Sequence, residues 1–222
     1  SSDSPYLADV DMTSSPNARH TEMKARAAQN FKGGSYVFDS TENIIKLDNG
    51  MGLGTGNFCV ELWLNAKAGN NSYGHFLDER SSGGDSDPNA FVASLVWDST
   101  SNNSYNLYML GGSTGGDYIK SSKVMYPGVW YHLAYYRKNS VFQLYVDGEA
   151  VSAAQGNWSS MNNLDYNKTF TPIGRTYTNN SDTYHFRGSI ADLRITTGAD
   201  IPDSITVPTA PHTKEGASIL VQ

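Results

Sequence analysis

Short runs of alternating apolar and polar residues make up most of the chain, and clusters of Gly, Asn, Asp and Ser separate them. Alternation with a period of two places every second side chain on one face, which is typical of strands that bury a single face. About a dozen such runs favour two antiparallel sheets packed as a jelly-roll sandwich. The runs predict strands at 34–39, 43–47, 57–66, 74–79, 90–97, 104–110, 117–124, 129–137, 141–146, 149–153, 170–174, 184–196 and 217–221.

The ribbon WYHLAYYRKNSVFQLYVDGEAV, residues 130–151, combines dense alternation with many aromatic residues. Asp147-Gly148 predicts a two-residue type I′ hairpin turn, because both central positions of that turn need a positive φ. A second turn is predicted at 137–140, so the ribbon is interpreted as a three-stranded meander. Its predicted core residues are Trp130, Leu133, Phe142, Leu144 and Val146.

The chain has 222 residues, which suits one all-β domain with a shared core. We predict that residues 1–30 form an N-terminal segment with a shortened first strand and that residues 31–197 form the jelly-roll core. Residues 198–222 are rich in Pro and Thr and predict an extended arm that ends in a final strand. Ile201 and Ile205 are the candidate anchors of this arm.

Charge and composition exclude several classes of partner. The formal net charge is −6 and no basic run occurs, so a nucleic-acid partner is not expected. No apolar stretch approaches the length that spans a bilayer, so membrane insertion is not expected either. The single cysteine, Cys59, lies in the apolar run NFCVELW and is expected to be a buried, reduced thiol.

Five segments in order resemble the laminin G-like domains of the concanavalin A-like superfamily, of the kind found in bacteriophage virion proteins. They are FKGGSYVFDSTENIIKL, LGTGNFCVELWLNA, the 130–151 ribbon, TPIGRTY and FRGSIADLRITTGADIPDSITVPTAPHT. The resemblance covers about residues 31–212 and implies a two-sheet antiparallel jelly roll. Since the first strand of such domains is shortened here, we expect residues 219–221 to pair beside it, within one subunit or with a neighbour.

Enzymatic chemistry is not expected. The laminarinase-like glycoside hydrolases of this fold carry Glu-x-Asp-x-x-Glu on one strand, which places an acid and a nucleophile above the sugar. That motif is absent, and Glu61 stands alone in CVELWLN, where a structural role is expected. His132 is expected to be half-buried and hydrogen-bonded in its strand. No zinc-site spacing occurs among the five histidines, which are His20, His75, His132, His185 and His212.

Calcium is the one cofactor for which the sequence offers candidate ligands. The acidic loop DERSSGGDSDPN contains Asp85 and Asp87, with Asp78 nearby, and carboxylates are hard oxygen ligands. The loop lacks the periodic ligand spacing of a dedicated calcium loop. A solvated turn is therefore the alternative interpretation.

Sugar recognition needs exposed aromatic faces together with planar amides. For each aromatic candidate, the alternative interpretation is burial in the core or at a subunit interface. Trp158, in the polar loop AQGNWSSMNN, is the least core-like of them. The candidates are Trp97, Asn102, Tyr105, Tyr108, Trp158 and Tyr177, with Asn103 and Asn179 close by in sequence.

The resemblance implies a non-enzymatic structural or adhesion module at a virion surface, as part of a tail fibre, a spike or a capsid decoration. Its expected partners are other virion proteins or copies of itself, with host-surface glycans as candidate ligands. The alternative is an extracellular lectin or the carbohydrate-binding module of a larger enzyme. A glycoside hydrolase is the remote alternative.

Overall fold

The computed structural model describes residues 34–40, 43–68, 73–80, 89–98, 104–111, 118–166, 171–175 and 184–221. These residues form fourteen strands. The strands are β1 (Tyr36–Phe38), β2 (Ile45–Leu47), β3 (Phe58–Ala66), β4 (Tyr73–Asp78), β5 (Val92–Asp98), β6 (Ser104–Leu110), β7 (Tyr118–Met125), β8 (Trp130–Lys138), β9 (Val141–Val146), β10 (Glu149–Ala150), β11 (Ala153–Gln155), β12 (Thr171–Ile173), β13 (Gly188–Thr197) and β14 (Ile219–Val221).

The strands form two antiparallel seven-stranded sheets that pack face to face. Sheet I has the order β1-β13-β3-β8-β9-β10, and β14 also pairs with β13. Sheet II has the order β11-β7-β6-β5-β4-β12-β2. The predicted all-β, two-sheet jelly-roll sandwich is confirmed.

The core lies between the sheets because alternate residues of each central strand point inward. Phe58, Val60 and Leu62 of β3 face Leu107 and Met109 of β6, and each of these side chains is at most 1% exposed. Full burial of such a side chain contributes roughly 1.5–3 kcal/mol to folding. Every central strand therefore has one core face and one outer face.

The predicted three-stranded meander is confirmed, since β8, β9 and β10 are neighbours in sheet I. Asp147 and Gly148 have φ values of 55° and 79°, as a type I′ turn requires. Asn139 and Ser140, with φ values of 51° and 58°, form a second turn of this kind between β8 and β9.

Four of the five predicted core residues of the meander are buried between the sheets, and one is not. Leu133 is fully buried, whereas Trp130 is only half-buried. The two residues are three positions apart on one strand, so their side chains point to opposite faces. The prediction of Trp130 as a core residue is wrong, and its indole lies on the outer face of sheet I. The correctly predicted residues are Leu133, Phe142, Leu144 and Val146.

One predicted strand is divided between the two sheets. The sequence predicts a single strand at 149–153, but β10 pairs with β9 in sheet I and β11 pairs with β7 in sheet II. The chain crosses between the sheets at Val151. The shortened first strand predicted within residues 1–30 lies outside the described residues.

The final strand β14 pairs within its own chain. Ile219–Val221 lie beside Leu193–Ile195 of β13, on the same edge that β1 occupies further along the strand. The two short strands therefore lie end to end along β13. The sequence predicts that residues 219–221 pair beside the first strand. That strand lies outside the residues that the structure describes, so this pairing stays a prediction.

The arm that follows β13 packs on the outer face of sheet I. Ile201 and Ile205 are buried there against Cys59 and Tyr136, so both predicted anchors are in contact with the sheet. The hydroxyl of Tyr136 donates a hydrogen bond to the Pro202 carbonyl at 2.8 Å. Cys59 is fully buried, as predicted, and burial raises the pKa of its thiol.

Two 3-10 helices, Trp158–Met161 and Gly198–Asp200, complete the described secondary structure. Neither is long or apolar enough to cross a bilayer, and the described residues contain no other helix.

Candidate functional site

The outer face of sheet II carries an unusual concentration of aromatic rings. Along β6, Tyr105, Leu107 and Met109 point into the core, so Asn106 and Tyr108 point outward. The strand register extends this face across the sheet. One row of directly opposed residues runs His75, Ser94, Tyr108 and Lys120 across β4, β5, β6 and β7.

Five rings on this face form a continuous group, which we call the aromatic platform: Tyr73, His75, Tyr108, Tyr118 and Tyr184. Tyr108 stacks on Tyr118, with centroids 5.1 Å apart and ring planes at 22°. Tyr73 lies 5.2 Å from Tyr108 and stacks on His75 at 6.3 Å and 15°. Tyr184 lies 5.7 Å from His75. Distances of this size are those of interacting aromatic pairs.

The platform is buried on one side and open on the other. Tyr118 is 44% exposed, whereas Tyr108 is only 8% exposed. Tyr73 and Tyr184 are half-buried. Tyr118 therefore presents its ring to solvent while Tyr108 holds that ring from behind.

His75 contributes an uncharged polar group to the platform. Burial lowers the pKa of His75 to about 4, which outweighs the opposite effect of the Asp78 carboxylate. The imidazole is therefore neutral at pH 7. Its backbone N–H donates to the Tyr184 carbonyl at 2.9 Å, which fixes the segment after residue 183 beside β4. Its Nδ1 has no hydrogen-bond partner among the described residues.

One cationic side chain lies opposite a platform ring, and a second follows Tyr184 by three residues. Lys120 is half-buried and directly opposite Tyr108. Arg187 is half-buried, and its Nε donates a hydrogen bond to Nε2 of His185 at 3.1 Å. The platform thus combines ring faces with polar groups at its margin.

Of the predicted sugar-binding residues, the structure places Tyr108 in the platform. Tyr105 faces the core, is 1% exposed and donates its hydroxyl proton to the Lys67 carbonyl. Trp97 packs edge-on against the Tyr105 ring at 4.6 Å and is half-buried against the core. The predicted Asn102 and Tyr177, with their neighbours Asn103 and Asn179, lie outside the described residues.

Trp158 is not the exposed residue that its polar neighbours suggested. It is 8% exposed, and its ring lies 6.0 Å from that of Phe142. Its Nε1–H donates to the Val151 carbonyl at 2.9 Å. The 3-10 helix turns this side chain inward while Ser159 and Ser160 remain exposed, so the first-choice ligand residue of the sequence is a core residue.

Sequence reasoning missed Tyr73, His75, Tyr118 and Tyr184. The alternation along SYNLYML contained part of the signal, because it separates Tyr105 from Tyr108 onto opposite faces. The other rings come from strands and a loop that are distant in sequence. The register of sheet II brings the strand residues together, and the hydrogen bond from the His75 N–H to the Tyr184 carbonyl adds Tyr184 to them.

The structure corrects one of the predicted calcium ligands. Asp78 has no exposed surface, and its carboxylate accepts hydrogen bonds from Nε and NH2 of Arg80 at 2.9 and 2.7 Å. A carboxylate paired in this way is not a free ligand on the rim. Asp85 and Asp87 lie outside the described residues, so their calcium site stays a prediction. Within the described part of the chain, no group of three His, Cys, Asp or Glu residues could hold a metal.

A buried cluster of titratable and charged groups lies on the outer face of sheet I. Glu61, at its centre, lies 3.5 Å from Nε2 of His132, 3.6 Å from NH1 of Arg194 and 3.3 Å from Nε2 of His212. Burial alone would raise the pKa of Glu61, but the two histidines lower it to about 2. The predicted structural role of Glu61 fits this arrangement, whereas His132 is fully buried rather than half-buried.

His212 connects the arm to this cluster. Its Nδ1 lies 2.7 Å from Oδ2 of Asp192, and its backbone N–H donates to the same carboxylate at 3.0 Å. Burial opposes a charge on the imidazole, but Asp192 and Glu61 raise its pKa to about 9. The side chain is therefore an imidazolium ion at pH 7, held between two carboxylates. Histidines that are dispersed in the sequence are thus brought together by the folding of the arm.

Comparison with known proteins assigns the architecture. Residues 39–206 match the laminin G family model described as the concanavalin A-like lectin/glucanases superfamily. No curated protein sequence matches the chain.

Several solved structures share the fold at low sequence identity. A heptameric pentraxin from Limulus polyphemus is 16% identical, with a TM-score of 0.50, and the match covers 72% of this chain and 73% of that one. Domain 4 of an extracellular arabinanase from Geobacillus stearothermophilus, solved with arabinotriose, is 20% identical, with a TM-score of 0.51 and coverage of 76% and 73%. A tailspike protein of an Escherichia coli bacteriophage is 15% identical, with a TM-score of 0.48 and coverage of 71% and 22%. At these identities the likeness concerns the fold alone.

Proposed function

The chain belongs to the concanavalin A-like lectin/glucanases superfamily. We propose that it is a non-enzymatic carbohydrate-binding module. Its ligand surface is the aromatic platform on the outer face of sheet II. Members of one fold can have different functions, so the proposal rests on the platform and not on the fold.

The exposed ring of Tyr118 is the observation that carries the proposal. A sugar ring has an apolar C–H face and a polar rim, and it therefore binds where an aromatic face lies beside hydrogen-bonding groups. Tyr118 offers such a face, and its stacking on Tyr108 reduces the conformational freedom that binding would otherwise remove. Lys120 supplies a hydrogen-bond donor beside the rings.

The surroundings of Glu61 favour binding over hydrolysis. The general acid of a glycoside hydrolase needs a raised pKa so that it can hold its proton near neutral pH. The pKa of Glu61 is instead lowered to about 2, and its side chain is only 6% exposed. Glu79 is also buried, and its Oε1 accepts hydrogen bonds from the Met51 N–H and the Thr171 hydroxyl. Both carboxylates stabilise the fold.

A short oligosaccharide is the class of ligand proposed. Arabinotriose, bound in the structure of the arabinanase domain, belongs to this class. That protein shares only the fold with this chain, and the glycan array described below identifies the particular sugar. The proposal of an oligosaccharide therefore rests on the platform of this chain, where exposed ring faces lie beside hydrogen-bonding groups.

We place this module at a virion surface, as an adhesion or structural domain that contacts host glycans, other virion proteins or copies of itself. The resemblance of the five sequence segments to phage virion domains supports this setting. The alternative is an extracellular lectin or a module of a larger enzyme. Mass measurement by light scattering tests the virion setting, because a virion module is expected to form a closed symmetric oligomer and a strictly monomeric protein would count against it.

A glycan array tests the proposed function. The wild-type protein is expected to bind a defined subset of glycans, and Tyr118→Ala is expected to lose that binding. Tyr126→Ala is the matched control, because Tyr126 is 48% exposed and lies outside the platform. Binding that survives Tyr118→Ala would place the site elsewhere, and no binding by the wild-type protein would favour a purely structural module.

A further inference from the structure

A groove lies at one end of the outer face of sheet I, on the opposite side of the molecule from the platform. Four residues form a row across four strands at its base: Val37, Ser189, Asn65 and Trp130. With strands about 4.8 Å apart, the row is roughly 14 Å long. The groove has a volume of about 590 Å³.

The arm leaves this groove open. Val207 of the arm packs against Trp63 and Ala191, which form the next row of outward-pointing residues along the strands. Asn65 lies two residues beyond Trp63 on β3, and it is half-buried at the base of the groove. The part of sheet I that the arm covers therefore ends where the groove begins.

The middle of the row offers unused hydrogen-bonding groups. Within the described residues, the side-chain amide of Asn65 and the hydroxyl of Ser189 have no hydrogen-bond partner. Both side chains are half-buried in a concave surface. Each group can donate and accept, which suits the hydroxyl groups of a sugar better than it suits a charged ligand.

The groove has apolar surface at both ends, and the two charged residues that line it have opposite signs. The half-buried indole of Trp130 is next to Asn65, and Val37 is 57% exposed at the other end. Lys67 and Asp39 both line the groove, so the charges near it have opposite signs. This balance favours an uncharged ligand.

We propose that this groove is a second carbohydrate site, which binds a neutral oligosaccharide through the Trp130 ring, the Asn65 amide and the Ser189 hydroxyl. It goes beyond the proposed function and does not depend on it, because the two surfaces lie on different sheets. If both sites bind, a single chain carries two sites facing opposite directions. Such a module can link two glycan chains, or increase avidity for one flexible chain.

Nuclear magnetic resonance titration of the ¹⁵N-labelled protein tests this site. The probes are cellotetraose, maltotetraose, xylotetraose and mannotetraose, each added to about 10 mM so that binding with a millimolar Kd is detected. The indole N–H of Trp130 is assigned with the Trp130→Phe variant, since the chain has four tryptophans. At least one probe is expected to shift the Trp130 indole and the Asn65 side-chain amide.

Two variants separate the groove from the platform. Asn65→Ala is expected to weaken the groove titration about fivefold or more. Tyr118→Ala is expected to leave it unchanged while abolishing shifts at the platform. If the sugars shift groove resonances but no platform resonances, the proposed function is contradicted and the proposal of the groove site still stands. Absence of a groove shift with all four sugars, or groove shifts caused only by an extended peptide used as a control, would overturn the second site.

Discussion

The rings of Tyr108 and Tyr118 are stacked 5.1 Å apart across two neighbouring strands of sheet II. Tyr108 is buried and Tyr118 is 44% exposed, so the inner ring fixes the position of the outer one. A rigid aromatic face of this kind costs little entropy when it binds a ligand. This pair is therefore the basis of the proposed binding surface.

Arg137→Lys is expected to destabilise the protein by about 3 kcal/mol. Arg137 is fully buried, and its guanidinium donates to the carbonyls of Gly56, Leu164 and Gly54 at 2.9, 2.6 and 2.5 Å. It also lies 4.7 Å from the centroid of the Phe58 ring. A lysine cannot reach three carbonyls in the same fixed geometry. Urea unfolding measures the difference.

Lys138→Met is the control for this change, since Lys138 is the next residue on the same strand. Its ammonium group pairs at 2.6 Å with Asp203, whose side chain is 98% exposed. Exposed ion pairs contribute little to stability, so this change is expected to be mild. If Arg137→Lys were as mild as Lys138→Met, the buried guanidinium would not have the structural role described above.

Stability is expected to decrease as the pH rises from 6.5 through about 9. The pKa of His212 is raised from its ordinary 6.5 to about 9, so its stabilising charge is fully present below 6.5 and is lost as the pH rises through 9. The loss is on the order of 2 kcal/mol, allowing for partial solvent screening. The carboxylates that contact this imidazole are Glu61 and Asp192, and Glu61 in turn lies within 3.6 Å of the titratable His132 and the charged Arg194.

Thermal unfolding between pH 5 and 10 measures this dependence. The His212→Gln variant is expected to be less stable at pH 6 and to lose less stability between pH 6.5 and 9 than the wild-type protein does. The depressed pKa of Glu61 acts in the opposite direction at low pH, because its contribution is lost as the pH falls from about 4.5 towards 2. An alkaline slope that is the same in His212→Gln and in the wild-type protein would contradict the assignment.

Gly148→Ala is expected to destabilise the meander by about 1–2 kcal/mol, because an L-residue with a side chain is strained at positive φ. Gly148 has φ 79°, and the nearest heavy atom to an added Cβ would be 3.5 Å away, which is an ordinary contact. The cost is therefore in the backbone and not in a clash. Gly56→Ala is the control, because that glycine lies outside the positive-φ region and has open space around it. Equal effects of the two changes in thermal unfolding would exclude the turn as the cause.

The sequence predicted most strands because their signal is local. Alternation and turn residues lie within a few positions of each other, so the meander and its Asp147-Gly148 turn were predictable. The division of 149–153 between the two sheets was not, because a crossover between sheets has no period of its own. The aromatic character of Trp130 favours the core, but the alternation along β8 places it on the same outer face as His132.

The candidate site was less predictable because it depends on which strands become neighbours. Tyr73, Tyr108 and Tyr118 meet only through the register of sheet II. Trp158 had polar neighbours in sequence, yet its own side chain packs inward on Phe142. Likewise, no sequence spacing relates Glu61 to His212, since the folding of the arm brings them together.

Calorimetric titration of the glycan selected on the array tests the central claim, that the platform binds carbohydrate, most directly. Tyr118→Ala is expected to weaken binding at least about tenfold, equivalent to roughly 1.4 kcal/mol, without loss of thermal stability. Tyr126→Ala is expected to bind within about twofold of the wild-type protein. An unchanged affinity in Tyr118→Ala, or an equal loss in both variants, would contradict the claim.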